Sequence, residues 1–164
     1  MKKTILSLLF FSISYFTFSQ SKIPSELPEK SDVIKLYSTK PKKEFLKYFL
    51  ENLQEYGFEI DKVEDSFGSY STGYKVIVDG SYPSGTVGYR IYGYIKQVKD
   101  TSVLVVQGNV KTSTVGYGIF QSMLVGDGQR MIVSRYSFNE ILKIINKLDF
   151  DKVEVYSSLN LENK

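Results

Sequence analysis

The sequence predicts an α+β fold, a meandering antiparallel β-sheet of about five to seven strands with two amphipathic helices packed on one face. Three observations support this prediction. Two segments repeat apolar residues at helical spacing, the segments between them are rich in β-branched and aromatic residues, and short turn-forming sequences separate those segments. Because no linker-like segment interrupts residues 33–157, we expect them to form a single domain.

Both helices are predicted from a one-sided apolar stripe. Pro41 suits the first turn of the first helix, and Gly57 suits the left-handed position just after its end. The stripe between them consists of Phe45, Leu46, Phe49, Leu50 and Leu53. The second helix is predicted to begin at a capping box, with Ser137 as the N-cap and Glu140 reaching back to it. Its buried face consists of Phe138, Ile141, Leu142, Ile145 and Leu148.

The strand-like segments lie before, between and after these helices. Candidate strands cover residues 33–37, 58–63, 74–78, 87–95, 102–106, 119–125, 129–133 and 152–156. Residues 102–106 are apolar on both faces, which predicts a central strand, and Lys99–Thr101 is short enough for a hairpin. Gly126–Gly128 favours a hairpin between 119–125 and 129–133, with a short helix over 119–125 as the alternative.

The N-terminus has the pattern of a secretory signal peptide. Lys2 and Lys3 precede an apolar stretch, and Thr17 and Ser19 place small residues where a cleavage site before Gln20 needs them. The stretch is shorter than the roughly 18–20 residues that span a bilayer. The pattern therefore predicts an exported protein, periplasmic or secreted, with no transmembrane segment after cleavage.

Export also predicts how the chain is divided. Residues 1–19 are the predicted signal peptide, and residues 20–32, which are polar and contain two prolines, are a predicted extended leader. The single domain follows, and residues 158–164 are a predicted flexible tail. Loss of the two lysines of the signal lowers the formal net charge from +3 to +1, so we expect no nucleic-acid partner.

Composition excludes much of catalytic chemistry. The chain has no Cys and no His, so disulfides, thiolate nucleophiles and Ser-His-Asp triads are impossible. The segment Gly116–Gly118 begins like a dinucleotide-binding loop but lacks the third glycine and the strand–loop–helix context. We therefore expect no cofactor, no metal site and no catalytic residue.

Two acidic clusters are the remaining route to an enzyme. They consist of Asp61, Glu64 and Asp65, and of Asp149, Asp151 and Glu154. Solvated turns and helix ends are the simpler interpretation, since neither cluster has the spacing of a calcium loop and each adjoins a lysine. The alternative is a small carboxylate-dependent hydrolase that uses Glu64 or Asp65.

The most informative feature is a set of tyrosines among cations and in Ser/Gly-rich loops. Along residues 87–96, one predicted face is apolar and the other carries two tyrosines between two basic residues. Tyrosine, serine and glycine together suit an adaptable binding surface. The candidate binding residues are Tyr70, Tyr74, Tyr82, Arg90, Tyr92, Tyr94 and Lys96. Packing within the sheet is the alternative use of the same tyrosines.

The segment Glu44–Asp61, followed by β-hairpins and a C-terminal helix, resembles small exported bacterial domains of unknown function with a TBP-like or helix-grip layout. The resemblance concerns the order of elements over residues 33–156, and it implies a twisted sheet with helices on one face. We expect a non-enzymatic domain that binds a partner protein, a peptide or an envelope component such as a glycan. A carrier of an apolar ligand under the helices is a further alternative.

Overall fold

Ten secondary-structure elements are present in the computed structural model, which describes residues 23, 27–28, 31–77, 87–114, 117–123 and 132–158. In chain order they are β1 (Val33–Ser38), α1 (Lys42–Glu55), β2 (Ile60–Glu64), β3 (Ser69–Thr72), β4 (Lys75–Ile77), β5 (Val87–Val98), β6 (Thr101–Thr114), β7 (Tyr117–Met123), α2 (Ile132–Ile145) and β8 (Lys152–Tyr156). The predicted α+β fold, with an antiparallel sheet and two helices, is confirmed.

The eight strands of the described chain form one antiparallel sheet in the order β2-β3-β5-β6-β1-β8, with β4 beside β5 and β7 beside β6. Strands β5 and β6 form a long hairpin, paired from Val87 opposite Thr112 to Val98 opposite Thr101. The predicted hairpin at residues 99–101 is therefore confirmed. Strand β6 lies between β5 and β1. Its residues 103–106 are buried on both faces, as their continuous apolar sequence predicts.

Both helices pack on the same face of the sheet. Their buried side chains form one core cluster with inward-facing residues of the strands. The largest fully buried members are Phe45, Phe49, Leu53, Ile141 and Ile145 from the helices, Ile34, Leu36, Ile91, Ile95 and Leu104 from the sheet, and Phe150 before β8. Burying each such side chain stabilises the fold by roughly 1.5–3 kcal/mol. These residues form the core between the helices and the sheet.

Helix α1 ends where its sequence predicts. Gly57 has a φ of 79°, a left-handed conformation that costs glycine little. Its N–H donates to the Gln54 carbonyl at 2.8 Å, and the Phe58 N–H donates to the Leu53 carbonyl at 3.0 Å. This pair of bonds is the Schellman arrangement, and the apolar contact that accompanies it comes from the buried Leu53 and Phe58.

Helix α2 begins earlier than predicted. It begins at Ile132, so Ser137 lies inside the helix and the predicted capping box is wrong. Residues 132–133 are helical, so the predicted strand over 129–133 is wrong there, and residues 124–131 lie outside the described chain. Ser137 stands four residues before the buried Ile141, so it continues the apolar stripe of the helix. Residues 119–123 belong to strand β7, which pairs with β6, and the alternative helix there is wrong.

Strand β3 lies in a Ser/Tyr-rich segment for which the sequence predicts no strand. Its inward-facing residues, Tyr70 and Thr72, are polar-tipped and buried. The Tyr70 hydroxyl donates to the Val105 carbonyl at 3.0 Å, and the Ile91 N–H donates to Thr72 Oγ1 at 2.9 Å. The strand was missed because Ser, Thr and Tyr do not produce the apolar alternation by which strands are recognised.

Described residues of the predicted leader contact the domain. Ile23 and Leu27 are partly buried against the core cluster, and Asp32 is buried. The Asp32 carboxylate accepts the Ser158 N–H at 2.6 Å and also the Ser158 hydroxyl. The predicted signal peptide and residues 159–164 lie outside the described chain. No helix in the described part of the chain is long and apolar enough to span a bilayer.

Candidate functional site

The sheet has a second surface, opposite α1 and α2, which we call the distal face. Its central rows are Arg90, Tyr92, Tyr94 and Lys96 on β5, and their partners Asn109, Gln107, Val105 and Val103 on β6. Side chains of directly opposed residues point to the same face of a sheet. On β5 the predicted division is confirmed, because Tyr89, Ile91 and Ile95 are buried in the core whereas Tyr94 and Lys96 are exposed.

The distal face has an apolar floor with polar and aromatic neighbours. Val103 lies between Lys96 and Tyr37, and Val105 lies between Tyr94 and Lys35 on the adjoining strands. Both valines are buried. Neither belongs to the core cluster formed with the helices. Short apolar residues flanked by long basic and aromatic ones make a surface that offers both apolar contact and hydrogen bonding.

At one end of the distal face, two cations approach one tyrosine ring. Arg90 Cζ and Lys111 Nζ each lie 5.3 Å from the centroid of the Tyr74 ring. Gly88 lies directly opposite Lys111, and a Cβ atom there would be 3.6 Å from Tyr74 Cβ, so the tyrosine packs across a bare stretch of β5. We call Tyr74, Arg90 and Lys111 the cation–tyrosine cluster. Each cation–π contact contributes roughly 0.5–2 kcal/mol.

The cation–tyrosine cluster contains buried polar atoms that no described residue satisfies. Tyr74 Oη and Arg90 Nε are buried and have no hydrogen-bond partner in the described structure. No carboxylate of the described residues lies within 4.0 Å of the charged nitrogens of Arg90 or Lys111. A buried donor without a partner costs about 1–3 kcal/mol, so each such atom calls for an explanation.

At the other end of the distal face, on strands β1 and β8, a carboxylate lies among the cations. Lys152 lies over the Tyr37 ring at 5.3 Å and pairs with Glu154 at 2.6 Å. The Tyr37 hydroxyl donates to Glu154 at 2.5 Å. The hydrogen bonds from Lys152 and Tyr37 lower the pKa of Glu154, whereas burial and the bond to Glu154 raise the pKa of Tyr37 to about 12.

Of the predicted binding residues that the structure describes, all but Tyr70 lie on the distal face. Tyr74, Arg90, Tyr92, Tyr94 and Lys96 lie together on the distal face. Tyr82 lies outside the described residues.

Tyr70 points to the opposite side and belongs to the core. Its ring packs edge-on against Phe49 at 5.5 Å, and burial raises the pKa of its hydroxyl well above the usual value. It crosses β5 at Gly93, where a Cβ atom would come within 2.8 Å of Tyr70 Oη. Tyr70 is therefore not available on the distal face.

Sequence reasoning missed Lys111, Lys35, Tyr37 and Tyr156 as members of the distal face. Lys35 Nζ lies 4.5 Å from the centroid of the Tyr156 ring, the shortest such distance among the described cation–ring contacts. A usable signal was present on β6, where Gln107, Asn109 and Lys111 occupy alternate positions. Which residues of β1 and β8 join them depends on strand order, which local sequence does not specify.

Each member of the two predicted acidic clusters is paired with a lysine or exposed to solvent. Glu64 pairs with Lys62 at 2.8 Å and accepts a hydrogen bond from Ser69 Oγ at 3.0 Å, contacts that lower its pKa, whereas a general acid needs a raised one. Asp65 is exposed in the turn after β2. In the second cluster, Asp149 pairs with Lys40 at 3.0 Å. Within the described chain, no three acidic side chains come together as a set of metal ligands.

No protein-family model matches this chain, and no curated protein matches it.

Proposed function

We propose that this chain is an exported, non-enzymatic domain that binds a partner protein, a peptide or a cell-envelope component through its distal face. The observation that carries the proposal is the grouping of Tyr74, Arg90, Tyr92, Tyr94 and Lys96 on the sheet surface opposite both helices. Tyrosine and arginine are the residues that most often dominate binding energy at interfaces.

Two further observations support this use of the distal face. The chain has no Cys and no His, and its described acidic residues, apart from the buried Asp32, are paired with lysines or exposed. The signal-peptide pattern of residues 1–19 supports export. If the secretion machinery recognises and cleaves this signal peptide, Gln20 is the first residue of the exported protein. N-terminal sequencing of the exported protein measures this directly.

The test compares two tyrosines of similar exposure on opposite sides of the molecule. Tyr94 on the distal face is 42 % exposed, and Tyr136 on α2 is 47 % exposed. A photo-crosslinking phenylalanine analogue is placed at either position of the full-length chain in the expressing cell. We expect a discrete crosslinked partner from position 94 and none from position 136.

The paired alanine variants complete the test. Tyr94→Ala is expected to weaken capture of the crosslinked partner about tenfold, as central interface tyrosines do, while Tyr136→Ala leaves capture unchanged. Equal losses in both variants, or crosslinks that are no more frequent at position 94 than at position 136, contradict the assignment of the distal face.

A further inference from the structure

We propose that the cation–tyrosine cluster of Tyr74, Arg90 and Lys111 binds an oxyanion carried by the partner, a carboxylate or a phosphate group. The inference rests on the proposed function, because it names the chemistry by which the distal face recognises its partner. It starts from the convergence of two positive charges on one tyrosine ring, each at 5.3 Å from the centroid.

The two ends of the distal face differ in whether a described carboxylate lies beside the cations. On β1 and β8, Lys152 is paired with Glu154 at 2.6 Å. Arg90 and Lys111 have no such carboxylate among the described residues. Two cations at one ring, with no acid beside them among the described residues, form a site whose electrostatic complement is an anion.

The unsatisfied donors indicate which atoms of the cluster contact the anion. Arg90 Nε and Tyr74 Oη are both donors without partners in the described structure, and both are buried. The edge of a guanidinium formed by Nε and one terminal nitrogen matches the two oxygens of a carboxylate or a phosphate. The Tyr74 hydroxyl and the Lys111 ammonium are the further donors of the same cluster.

The backbone beneath the cluster lets the cluster's side chains pack closely against the sheet. Gly88 has no side chain, and it is the residue over which the Tyr74 ring packs. Asn109 lies directly opposite Arg90, and its amide is a neutral donor next to the guanidinium. The cluster therefore combines charge, directed donors and a rigid base formed by two paired strands.

The experiment follows the Arg90 Nε–H signal by NMR in the exported full chain, titrated with inorganic phosphate and, separately, with acetate. The chain contains three arginines, so the side-chain Nε–H signals can be resolved and assigned by mutation. We expect a saturable shift of the Arg90 signal with at least one of the two anions. The anion that saturates at lower concentration identifies whether a phosphate or a carboxylate is the natural group.

Arg90→Lys keeps the charge and removes both Nε–H and the planar fork, so we expect the dissociation constant to rise about tenfold. Arg135→Lys is the matched control, because Arg135 is exposed on α2, and it should bind as the wild type does. Tyr74→Phe keeps the ring and removes the hydroxyl, and should weaken binding by a smaller factor. Thermal melting of each variant verifies that the fold is retained.

Shifts that never saturate with either anion, or Arg90→Lys binding as tightly as the wild type, overturn the oxyanion site. Failure of the proposed function is a separate result. If a partner crosslinks at position 94 while no anion saturates, the distal face binds by other chemistry. If an anion saturates and no partner crosslinks at position 94, the cluster binds an anion but the proposed function falls.

Discussion

Lys99 is the one non-glycine residue of the described chain with a positive φ, at 53°. It occupies the two-residue turn between Val98 and Thr101, which are paired at the end of the β5–β6 hairpin. Two-residue hairpin turns need positive φ at their first central position because only that backbone twist matches the twist of the strands. A side chain with a Cβ atom is held there at a cost of roughly 1–2 kcal/mol.

Lys99→Gly is expected to raise the free energy of unfolding by about 0.5 kcal/mol. Glycine removes the cost of the left-handed conformation, and the greater entropy of glycine in the unfolded chain cancels part of the gain. Urea unfolding measures the change. Lys99→Ala is the control, since it removes the charge and keeps the Cβ atom, so a glycine variant no more stable than the alanine variant contradicts the explanation.

At the scale of one element, helix α2 shows how a buried polar group remains inside an apolar stripe. Ser137 is fully buried, and its Oγ has no hydrogen-bond partner among the described residues. Serine is also a weaker helix former than alanine in a helix interior. The helix accommodates both penalties because the four apolar residues Phe138, Ile141, Leu142 and Ile145 anchor the same segment to the sheet.

Ser137→Ala is therefore expected to stabilise the protein by about 1 kcal/mol, because it removes an unsatisfied hydroxyl and improves helix propensity. Ser102→Ala is the matched control at an equally buried serine. The Ser102 hydroxyl donates to the Lys40 carbonyl at 2.7 Å, so its loss should destabilise by about 1 kcal/mol. Chemical denaturation of both variants gives the comparison, and the same sign for both changes would contradict it.

At the scale of the whole molecule, tyrosines buried on the two faces of the sheet make the free energy of unfolding depend on pH in the alkaline range. Burial raises the pKa of Tyr37, Tyr70, Tyr89 and Tyr92, and for Tyr37 the value is about 12. An unfolded tyrosine loses its proton near its ordinary pKa of 10.0. Above that pH the folded state holds more protons than the unfolded state, so raising the pH favours unfolding.

The free energy of unfolding is accordingly expected to be constant just below pH 10 as far as these tyrosines are concerned, and to fall between pH 10 and about 12. Urea unfolding across this range measures the fall, and tyrosinate absorbance should increase sharply on unfolding. Tyr37→Phe removes one of the four groups and should make the fall less steep. A free energy of unfolding that does not change between these pH values contradicts the assigned burial.

Much of the fold could be predicted because its signals are local. The stripe from Phe45 to Leu53, the left-handed Gly57 and the alternation along β5 each depend on residues close in sequence. The same alternation correctly divided Tyr92 and Tyr94 from Ile91 and Ile95, so the central part of the candidate site could be derived before any tertiary contact was known.

The rest depended on contacts between distant residues. Tyr70 and Tyr94 have the same side chain, but Tyr70 is buried because it crosses Gly93 to reach the Val105 carbonyl. Ser137 looked like a cap because the local pattern matches one, whereas its place on the buried stripe only appears once α2 packs on the sheet.

Periodicity along single segments is enough to predict the fold class, the two helix faces and the buried and distal sides of β5. Tertiary contacts were needed to show that Arg90 and Lys111 both reach the Tyr74 ring, that Tyr37 and Lys35 share the face of Arg90, and that Tyr70 does not. Strand order and register bring these residues together, and both are set by packing across the whole sheet rather than by any one stretch of chain.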